Sequence, residues 1–592
     1  MWLINTSTLS LELFYSDATP PYAILSHTWS HDELSFQEFR ALNADNKHKF
    51  EHRTGYHKVI NTCEQAQKDG LPYIWIDTCC IDKTSSAELT EAINSMYTWY
   101  QGSEICYAHL EDVEIGNHSD TGDTSVSIDQ VDAAFRECRW FTRGWCLQEL
   151  LAPRCLWFYD KHWRVIGQRG DLSRIISRIT GIPEMVLASS HGTHIHEFPI
   201  ATRISWMARR HTTRVEDMSY SLLGILDINM PMLYGEGQRA FQRLQEEVIR
   251  KYNDLSIFAW TPSTISPSVT FIPVLAQSPS DFTRDISPDQ ENDNTNPDDH
   301  LNHRVNTQFS LTNQGIVFPS IKLYSQHQRP PFRHHYVLYL NHRDTSFRNG
   351  ITRHKWYILL QKIGPGLFVR LHETPDRTSA FRKSPIMDPC SEPVCILTQL
   401  SAPLTRQLTH WERHAVRLRW RSWPKKRQKF WHVRAVEPQR NWDRVAGQFL
   451  LEMATEQFMR IEFAPGEYSS NPGMEYFVIV IQVGDGKRRD PRRVSAHIVS
   501  SRVHEGINAT PFEFAFRENL ALRAVEKLGE RSSTISMVGY DISMGVEVVE
   551  QADGVPYHSV YLDWVKSKGA VDEDTSGVKD LASKIEVLEM AG

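Results

Sequence analysis

The sequence predicts an N-terminal α/β domain with a parallel, doubly wound sheet, followed by a helical extension and a mostly β C-terminal domain. Between residues 22 and 160, short apolar runs alternate with segments of helical periodicity, which is typical of βαβ units. From residue 171 to 260 the periodicity is helical. After residue 310, apolar runs alternate with turn residues, which indicates a sandwich or a barrel.

The α/β domain is predicted to span residues 1–165. Four apolar runs are its expected parallel strands: YAILSHTW, YIWID, ICYAHL and RCLWFY. Helices are expected between them, at TGYHKVINTCEQAQKDG, SSAELTEAINSMYTWY, QVDAAFREC and Trp145 to Leu151. Ser85 and Glu88 have the spacing of a capping box, and an apolar stripe runs from Leu89 to Tyr100 after them.

The remaining chain divides into four predicted segments. Residues 166–262 form the helical extension, with helical patterns such as DLSRIISRI, SYSLLGILDI and GQRAFQRLQEEVIRKY. Residues 263–310 are a predicted linker or disordered loop, because the stretch from Ser278 to Gln308 is rich in Asp, Asn and Pro. Residues 311–566 form the β-rich domain, and residues 567–592 a charged tail.

Composition excludes several classes of protein. The chain has 592 residues, which is too long for one core, and its net charge of -7 offers no general attraction to nucleic acid or acidic membranes. No apolar run is long enough to span a bilayer, and the first residues lack the basic region of a signal peptide. Several of the nine cysteines lie inside apolar segments, which indicates reduced, buried thiols and a cytoplasmic protein.

One segment, from Trp411 to Arg434, is locally basic and interleaves Arg and Lys with tryptophans. That pattern suits single-stranded nucleic acid or anionic lipid. It is also typical of strands with one solvated face, and Pro424-Lys425-Lys426 resembles a hairpin tip. We favour the hairpin, so nucleic acid is not an expected partner.

The candidate functional residues follow from the rule that open parallel sheets bind ligands beyond the carboxyl ends of their strands. The first strand ends in Ser26, His27 and Trp29, and the second in Asp77 and Cys79. A sixth position, Glu149, lies among bulky apolar residues just before the last strand. On a short helix, Trp145, Glu149 and Ala152 share one face, and Cys146 lies three positions before Glu149.

Glu149 in such surroundings has two interpretations. If it faces packed protein, desolvation raises the pKa of the carboxyl, as in many catalytic acids. Alternatively, it is a helix-end glutamate paired with Arg143 or Arg154. No metal is expected, since Cys79 and Cys80 form no C-x-x-C pair and, on a strand, would point to opposite faces.

Two further interpretations are less favoured. Asp77 and Asp82 could hold Mg²⁺, but strand-end aspartates also cap loops. Cys79 and Cys80 with His27 could form a thiol hydrolase, although buried structural cysteines are far commoner. We expect His27 and His109 to be hydrogen-bonded core or rim residues.

Three blocks together resemble the fungal heterokaryon incompatibility (HET) domain: YAILSHTW, YIWIDTCCIDK with SSAELTEAINSMYTWY, and RGWCLQELLAP. The resemblance covers roughly the first 160 residues. It implies a role in the programmed death of fused, genetically unlike fungal cells. HET domains are in turn viewed as similar to the TIR domains of innate immune receptors, which implies a TIR-like (flavodoxin-like) fold.

The TIR-like resemblance assigns roles to the candidate residues. RGWCLQEL is similar to the WCxxEL segment of plant-type TIR domains, whose glutamate cleaves NAD. Carried over by position, Trp145, Cys146, Glu149 and Leu150 match this segment, and Glu149 becomes the catalytic residue. Trp29 or Trp145 would stack on a ring of NAD, and Ser26 or Asp77 would bind ribose hydroxyls, with His27 and Cys79 nearby.

NAD would be a substrate in this hypothesis, and no bound cofactor is expected. The sequence lacks G-x-G-x-x-G after the first strand, so the pyrophosphate needs another cradle. The alternative is a non-enzymatic signalling module that causes cell death through partners. In both cases we expect a homo-oligomer on activation and an unknown protein partner for the C-terminal β domain.

Overall fold

The computed structural model describes most of the N-terminal half and the strands of the C-terminal half. The described residues are 1–15, 18–42, 46–115, 128–189, 193–263, 271–282, 286–288, 308–325, 336–344, 355–372, 388–404, 415–422, 431–437, 439–443, 447–450, 457–465, 477–483, 494–500, 534–537, 540–550 and 556–566. The chain forms two compact units, Met1–Val317 with Leu338–Ile358 and Phe318–Val337 with Leu359–Gly592.

The α/β part and its extension lie in the first unit. Its strands and helices are β1 Trp2–Asn5, β2 Leu11–Leu13, β3 Tyr22–His27, α1 Phe36–Arg40, α2 Thr54–Lys68, β4 Tyr73–Trp75, α3 Asp77–Cys80, α4 Ser86–Gly102, β5 Ile105–His109, α5 Ile128–Glu137, α6 Cys146–Leu151, β6 Leu156–Tyr159, β7 Val165–Gln168, α7 Ser173–Thr180, α8 Glu184–Ala188, α9 Ile200–Ser205, α10 Asp217–Tyr220, α11 Leu223–Leu226, α12 Arg239–Lys251, β8 Phe271–Ile272, β9 Ile286–Pro288 and β10 Ser310–Leu311. Short 3-10 helices span Lys47–Lys49, Arg139–Thr142, Thr193–Glu197, Leu255–Phe258 and Pro279–Asp281.

The sheet of the first unit has seven strands in the order β2-β1-β4-β3-β5-β6-β7. Its four central strands are parallel, and β1, β2 and β7 add antiparallel edges. Along the sheet the parallel strands run second, first, third, fourth in chain order, as in the first four strands of a flavodoxin-like sheet. The predicted parallel α/β sheet is confirmed, whereas the antiparallel edges were not predicted.

The strand order places the helices on both faces of the sheet. The chain moves from β3 to β4 in one direction and from β4 to β5 in the other. Right-handed crossovers therefore put α2 on one face and α4 on the opposite face. At the start of α4, the Ser85 hydroxyl accepts the Glu88 N–H, but the Glu88 carboxylate accepts from the Asp82 N–H. The predicted capping box is thus half formed.

The helical extension packs against α4. The segment SYSLLGILDI forms two short helices, α10 and α11, and not one continuous helix. Gly224 of α11 lies so close to Tyr97 of α4 that an added Cβ would meet the Tyr97 Cβ at 2.1 Å. Only a residue without a side chain permits this approach.

We expect Gly224→Ala to destabilise the first unit by about 3 kcal/mol, because overpacking forces the two backbones apart. Gly170→Ala is the matched control, since an added Cβ there meets nothing within 4 Å. Urea unfolding of both variants measures the difference. Equal stability of the two variants would contradict the close packing.

Part of the predicted 263–310 linker is packed. Phe271, Ile272, Val274 and Phe282 are buried. The Gln245 amide of α12 donates to the Ala276 carbonyl at 2.8 Å and accepts its N–H at 2.9 Å. Residues 271–282 are therefore not a linker, because their apolar side chains bury against helices. Residues 264–270, 283–285 and 289–307 lie outside the described residues.

The C-terminal half is mostly β, as predicted. Its strands are β11 Gly315–Ser325, β12 Tyr336–Asp344, β13 Lys355–Gly364, β14 Leu367–Leu371, β15 Asp388–Leu397, β16 Ala415–Ser422, β17 Trp431–Glu437, β18 Trp442–Asp443, β19 Gln448–Leu450, β20 Gln457–Pro465, β21 Phe477–Val483, β22 Val494–Ser500, β23 Thr534–Met537, β24 Tyr540–Glu550 and β25 Pro556–Lys566, with a 3-10 helix at Gln439–Asn441. The orders β18-β19-β16-β25-β24-β23 and β17-β20-β21-β22 define two sheets of the second unit. Buried side chains of both sheets, including Val416 and Ile479, form one core, as in a sandwich.

The predicted hairpin of the basic segment is wrong. β16 pairs with β19 and, in parallel, with β25, whereas β17 pairs with β20 in the other sheet. The alternation of polar and apolar residues identified β16 and β17 as strands, but it did not identify the distant strands with which they pair. Residues 423–430, including the proposed tip, and the predicted tail 567–592 lie outside the described residues. Within the described residues, no helix is long and apolar enough to cross a membrane.

Candidate functional site

Two adjacent polar side chains of strand β3 lie at the carboxyl edge of the sheet. Ser26 and His27 are its last residues, and both are buried. Because successive residues of a strand point to opposite faces, Ser26 and His27 join two different clusters. The sheet thus carries one polar cluster on each face at this edge.

The first cluster joins Ser26 to Glu149 of α6. The Trp140 Nε1–H donates to Ser26 Oγ at 2.8 Å, and Ser26 Oγ–H donates to Glu149 Oε2. An indole can only donate, so Ser26 Oγ accepts from Trp140 and its single hydrogen is left for the Glu149 carboxylate. Ser26 therefore orients the Glu149 carboxylate.

Glu149 is buried, as the sequence predicts, with 7% of its surface exposed. Burial raises the pKa of its carboxyl above the ordinary value of 4.5, and the nearby Asp77 charge acts in the same direction. The Ser26 hydrogen bond and the Arg143 and His27 charges oppose this increase. Among the described ion pairs within 4.0 Å, none joins Glu149 to Arg143 or Arg154, so the helix-end pairing is not seen.

The second cluster centres on Asp77, the first residue of α3. His27 Nε2 lies 3.2 Å from Asp77 Oδ1, and Trp29 Nε1–H donates to Asp77 Oδ2 at 2.9 Å. Burial would raise the pKa of Asp77, but the hydrogen bond and charge of His27, with the Lys83 and Arg143 charges, lower it to about 2. Asp77 is therefore ionised, and both its oxygens are engaged.

A buried ion pair supports the loop after β3. Lys58 of α2 is 5% exposed, and its Nζ donates to Glu33 at 2.6 Å and to the Thr28 carbonyl at 3.1 Å. Glu33 also lies 3.7 Å from His27 Nδ1. The sequence reading missed this pair. Lys58 sits beside Val59 on the buried side of an amphipathic helix, and that position is a signal for a partnered charge.

Trp29 is the exposed member of the site, with 45% of its surface accessible. Lys83 Nζ lies 3.8 Å from the centroid of its ring, and Arg143 Cζ lies 5.7 Å from it. Both are cation–π distances. Two cations therefore cover part of the tryptophan that was expected to stack on a ligand ring.

Two predicted site residues lie apart from these clusters. Cys79 has no exposed surface, its thiol donates to the Leu34 carbonyl, and burial raises the pKa of the thiol well above 9.0. It belongs, with Cys80, to helix α3 and not to a strand. Trp145 lies near Asp217 of the extension, where burial raises the pKa of the Asp217 carboxyl and Tyr234 and Trp145 oppose that increase.

The extension also supplies a buried cation that sequence reasoning missed. Arg210 is 2% exposed, and its Nη1–H donates to the Arg143 carbonyl at 2.9 Å. Burial lowers the pKa of Arg210 to about 10, and the Glu149 charge opposes that decrease. Arg210 thus fixes the backbone just before α6.

Among the described residues, no group of three or more His, Cys, Asp or Glu side chains could hold a metal ion. The cysteines that can be described are free thiols: Cys63, Cys79, Cys80, Cys106, Cys138, Cys146, Cys155 and Cys395.

Two segments of the chain match known protein families. Residues 22–149 match the model of the heterokaryon incompatibility protein (HET) family, from the first residue of β3 to Glu149 itself. The chain therefore contains a HET domain. Residues 239–360 match a second family, a domain of unknown function (DUF8212).

One curated protein that the chain resembles is the vegetative incompatibility protein HET-E-1 of Podospora anserina. The two sequences are 44% identical over 236 residues. This stretch covers 39% of the present chain and 16% of HET-E-1. The chain therefore corresponds to a small part of that relative. No solved structure matches the chain.

Glu149→Gln tests the raised pKa of the buried carboxyl. Below pH 4.5 the carboxyl is protonated in folded and unfolded chains. As the pH rises, the Glu149 carboxyl ionises first in the unfolded chain. The free energy of unfolding of the wild type therefore falls until the pH exceeds the raised pKa of the folded state. The variant should therefore be more stable than wild type at about pH 7.5 but not at about pH 4, because only the ionised carboxylate carries the cost of burial. Thermal unfolding at both pH values measures this, and a pH-independent difference would contradict the raised pKa.

A double-mutant cycle tests the hydrogen bonds of Ser26. Ser26→Ala leaves the buried Trp140 N–H without its acceptor, so we expect a loss of about 1–3 kcal/mol. When Trp140 is already replaced by Phe, no N–H is left without an acceptor, so Ser26→Ala should cost less stability in that variant than in the wild type. Urea unfolding of the four proteins gives the coupling energy. Strictly additive losses would mean that the two residues do not act together.

Proposed function

We propose that this HET-domain protein is a cell-death effector of heterokaryon incompatibility. The support is the HET match over residues 22–149 and the 44% identity to a protein named for vegetative incompatibility. We further propose that the domain is TIR-like and hydrolyses NAD, with Glu149 as the catalytic residue. The observation that carries this proposal is a buried carboxylate with a raised pKa, oriented by Ser26 at the carboxyl edge of a parallel sheet.

The reaction would break the bond between nicotinamide and ribose C1′. Nicotinamide leaves as a neutral molecule with the bonding electrons, and positive charge develops on the ribose. An oriented carboxylate in a dry site stabilises this charge far better than one in water. Water then adds at C1′ and releases one proton, so that NAD and water give ADP-ribose, nicotinamide and H⁺. The raised pKa of Glu149 makes it a suitable acceptor for that proton.

The hydrogen bonds of the site suggest how the chain would prepare this carboxylate. Ser26 and Trp140 fix its orientation before substrate arrives, so little reorganisation is needed during the reaction. Asp77, ionised beside it, would add to the negative potential felt by the ribose. A ribose hydroxyl could bond to Ser26 or Asp77 only by competing with the partners they already have.

A non-enzymatic module is the second candidate function. It is favoured by the small exposed fraction of Glu149, 7%, which suits a packing role as well as a catalytic one. In that case the domain would cause cell death by forming a homo-oligomer or by recruiting a partner through the β-rich half. We place either activity in the cytoplasm, a compartment that suits the free cysteines.

Turnover of NAD by the purified full-length chain separates these candidates. We expect Glu149→Ala to lower the rate by about 100-fold or more, since an electrostatic stabiliser of the transition state is lost. Glu137→Ala, which removes an exposed glutamate of α5, is the control and should keep the wild-type rate. Equal turnover in wild type and Glu149→Ala would exclude the catalytic role.

Expression in fungal cells would test the cell-death role itself. If death requires NAD hydrolysis, Glu149→Ala should abolish both the loss of cellular NAD and the death. Death that persists in Glu149→Ala cells with normal NAD would support the module.

A further inference from the structure

We propose that Lys83 and Arg143 form a phosphate-binding site beside Trp29, with the pyrophosphate of a dinucleotide as its ligand. The identity of the ligand as NAD rests on the proposed function, whereas the preference for a pyrophosphate rests on the site alone. The sequence lacks the glycine-rich loop that cradles a pyrophosphate in dinucleotide-binding sheets, so another group of donors is needed.

The two cations converge from separate parts of the fold. Lys83 follows α3 and Arg143 precedes α6, yet both reach the ring of Trp29. Trp29 comes just after β3, so all three positions lie at the carboxyl edge of the parallel strands. Ligands of open parallel sheets bind at this edge.

Neither cation is neutralised by an ion pair. Among the described residues, no carboxylate lies within 4.0 Å of Lys83 or Arg143. Asp77 is close enough for both cations to lower the pKa of its carboxyl, but its two oxygens already face His27 and Trp29. Two cations without an ion-pair partner among the described residues therefore lie beside Trp29.

Trp29 is the positioning residue of this site. Its N–H is held by Asp77, and Asp77 is held by the buried His27. The ring therefore has a fixed orientation, although it is 45% exposed, and it offers a platform on which the two cations lie. Pre-positioned cations lose less entropy on binding an anion than freely moving side chains do.

The donor chemistry suits a pyrophosphate better than a single carboxylate. The planar guanidinium of Arg143 can bind two oxygens of one phosphate, and the Lys83 ammonium can bind the next as a point charge. Arg143 also acts electrostatically on Glu149. A dinucleotide with its pyrophosphate on these cations would place the attached ribose toward Glu149, because a single sugar separates the phosphate from the bond that is cleaved.

Binding of ADP-ribose to the full-length Glu149→Ala variant tests the site without turnover. Calorimetry should show about tenfold weaker binding when Lys83→Gln or Arg143→Gln is added, since each removes a charge-assisted hydrogen bond. Arg143→Lys keeps the charge and should recover part of the affinity, which separates a lost contact from a folding defect. Lys68→Gln is the control, because this exposed lysine ends α2 at the opposite edge of the sheet.

Two further probes distinguish the ligands. Inorganic pyrophosphate should compete with ADP-ribose, and adenosine should not. Pyrophosphate binding that depends on Lys83 and Arg143, without any ADP-ribose binding, would support the phosphate site and count against NAD as its ligand. Unchanged ADP-ribose affinity in both glutamine variants, or no binding of either phosphate probe, would overturn the proposal.

Discussion

The hydrogen bond from Ser26 to Glu149 is the contact on which the rest of this site depends. A buried carboxylate is costly unless it is hydrogen-bonded, and every residue of α6 is buried with it. Ser26 supplies that bond because β3 is a central strand whose last residues reach the edge of the sheet. The hydrogen bond thus connects α6 to β3, which is the first of the parallel strands along the chain.

Adjacent positions on β3 have opposite electrostatic consequences. On the Ser26 face, burial raises the pKa of Glu149, whereas on the His27 face the surrounding positive charges lower the pKa of Asp77. Two carboxyls near one strand end therefore differ in how readily they take a proton. Pairs of carboxyls with separated pKa values are a common arrangement in acid–base sites.

Local patterns predicted the features of this fold that local physics determines. The parallel strands, the Ser85 cap of α4 and the burial of Glu149 all follow from periodicity and composition within a short window. The antiparallel edge strand β1 was missed because four residues give too short a pattern. The partners of β16 and β17 were missed because pairing between distant strands leaves no local signal.

The same limit applies to the candidate site. The edge of the parallel sheet brings Ser26 to Glu149, and it brings His27 and Trp29 to Asp77, as their strand-end positions indicate. Trp140 and Arg210 could not be found in this way. Each acts through one tertiary contact, to Ser26 Oγ or to the Arg143 carbonyl, and such contacts depend on how the elements pack.

The packing of the helical extension shows that the candidate site depends on residues beyond the segment that matches the HET family. The HET match ends at Glu149, but residues beyond it hold the segment that carries this glutamate. Arg210 donates to the Arg143 carbonyl, and His211 forms a β-bridge with Arg143. Gly224 brings α11 against α4 of the α/β part. Because each contact is buried or directed at the backbone, the extension is part of the scaffold that orients Glu149 and Arg143, and the site needs residues from both segments.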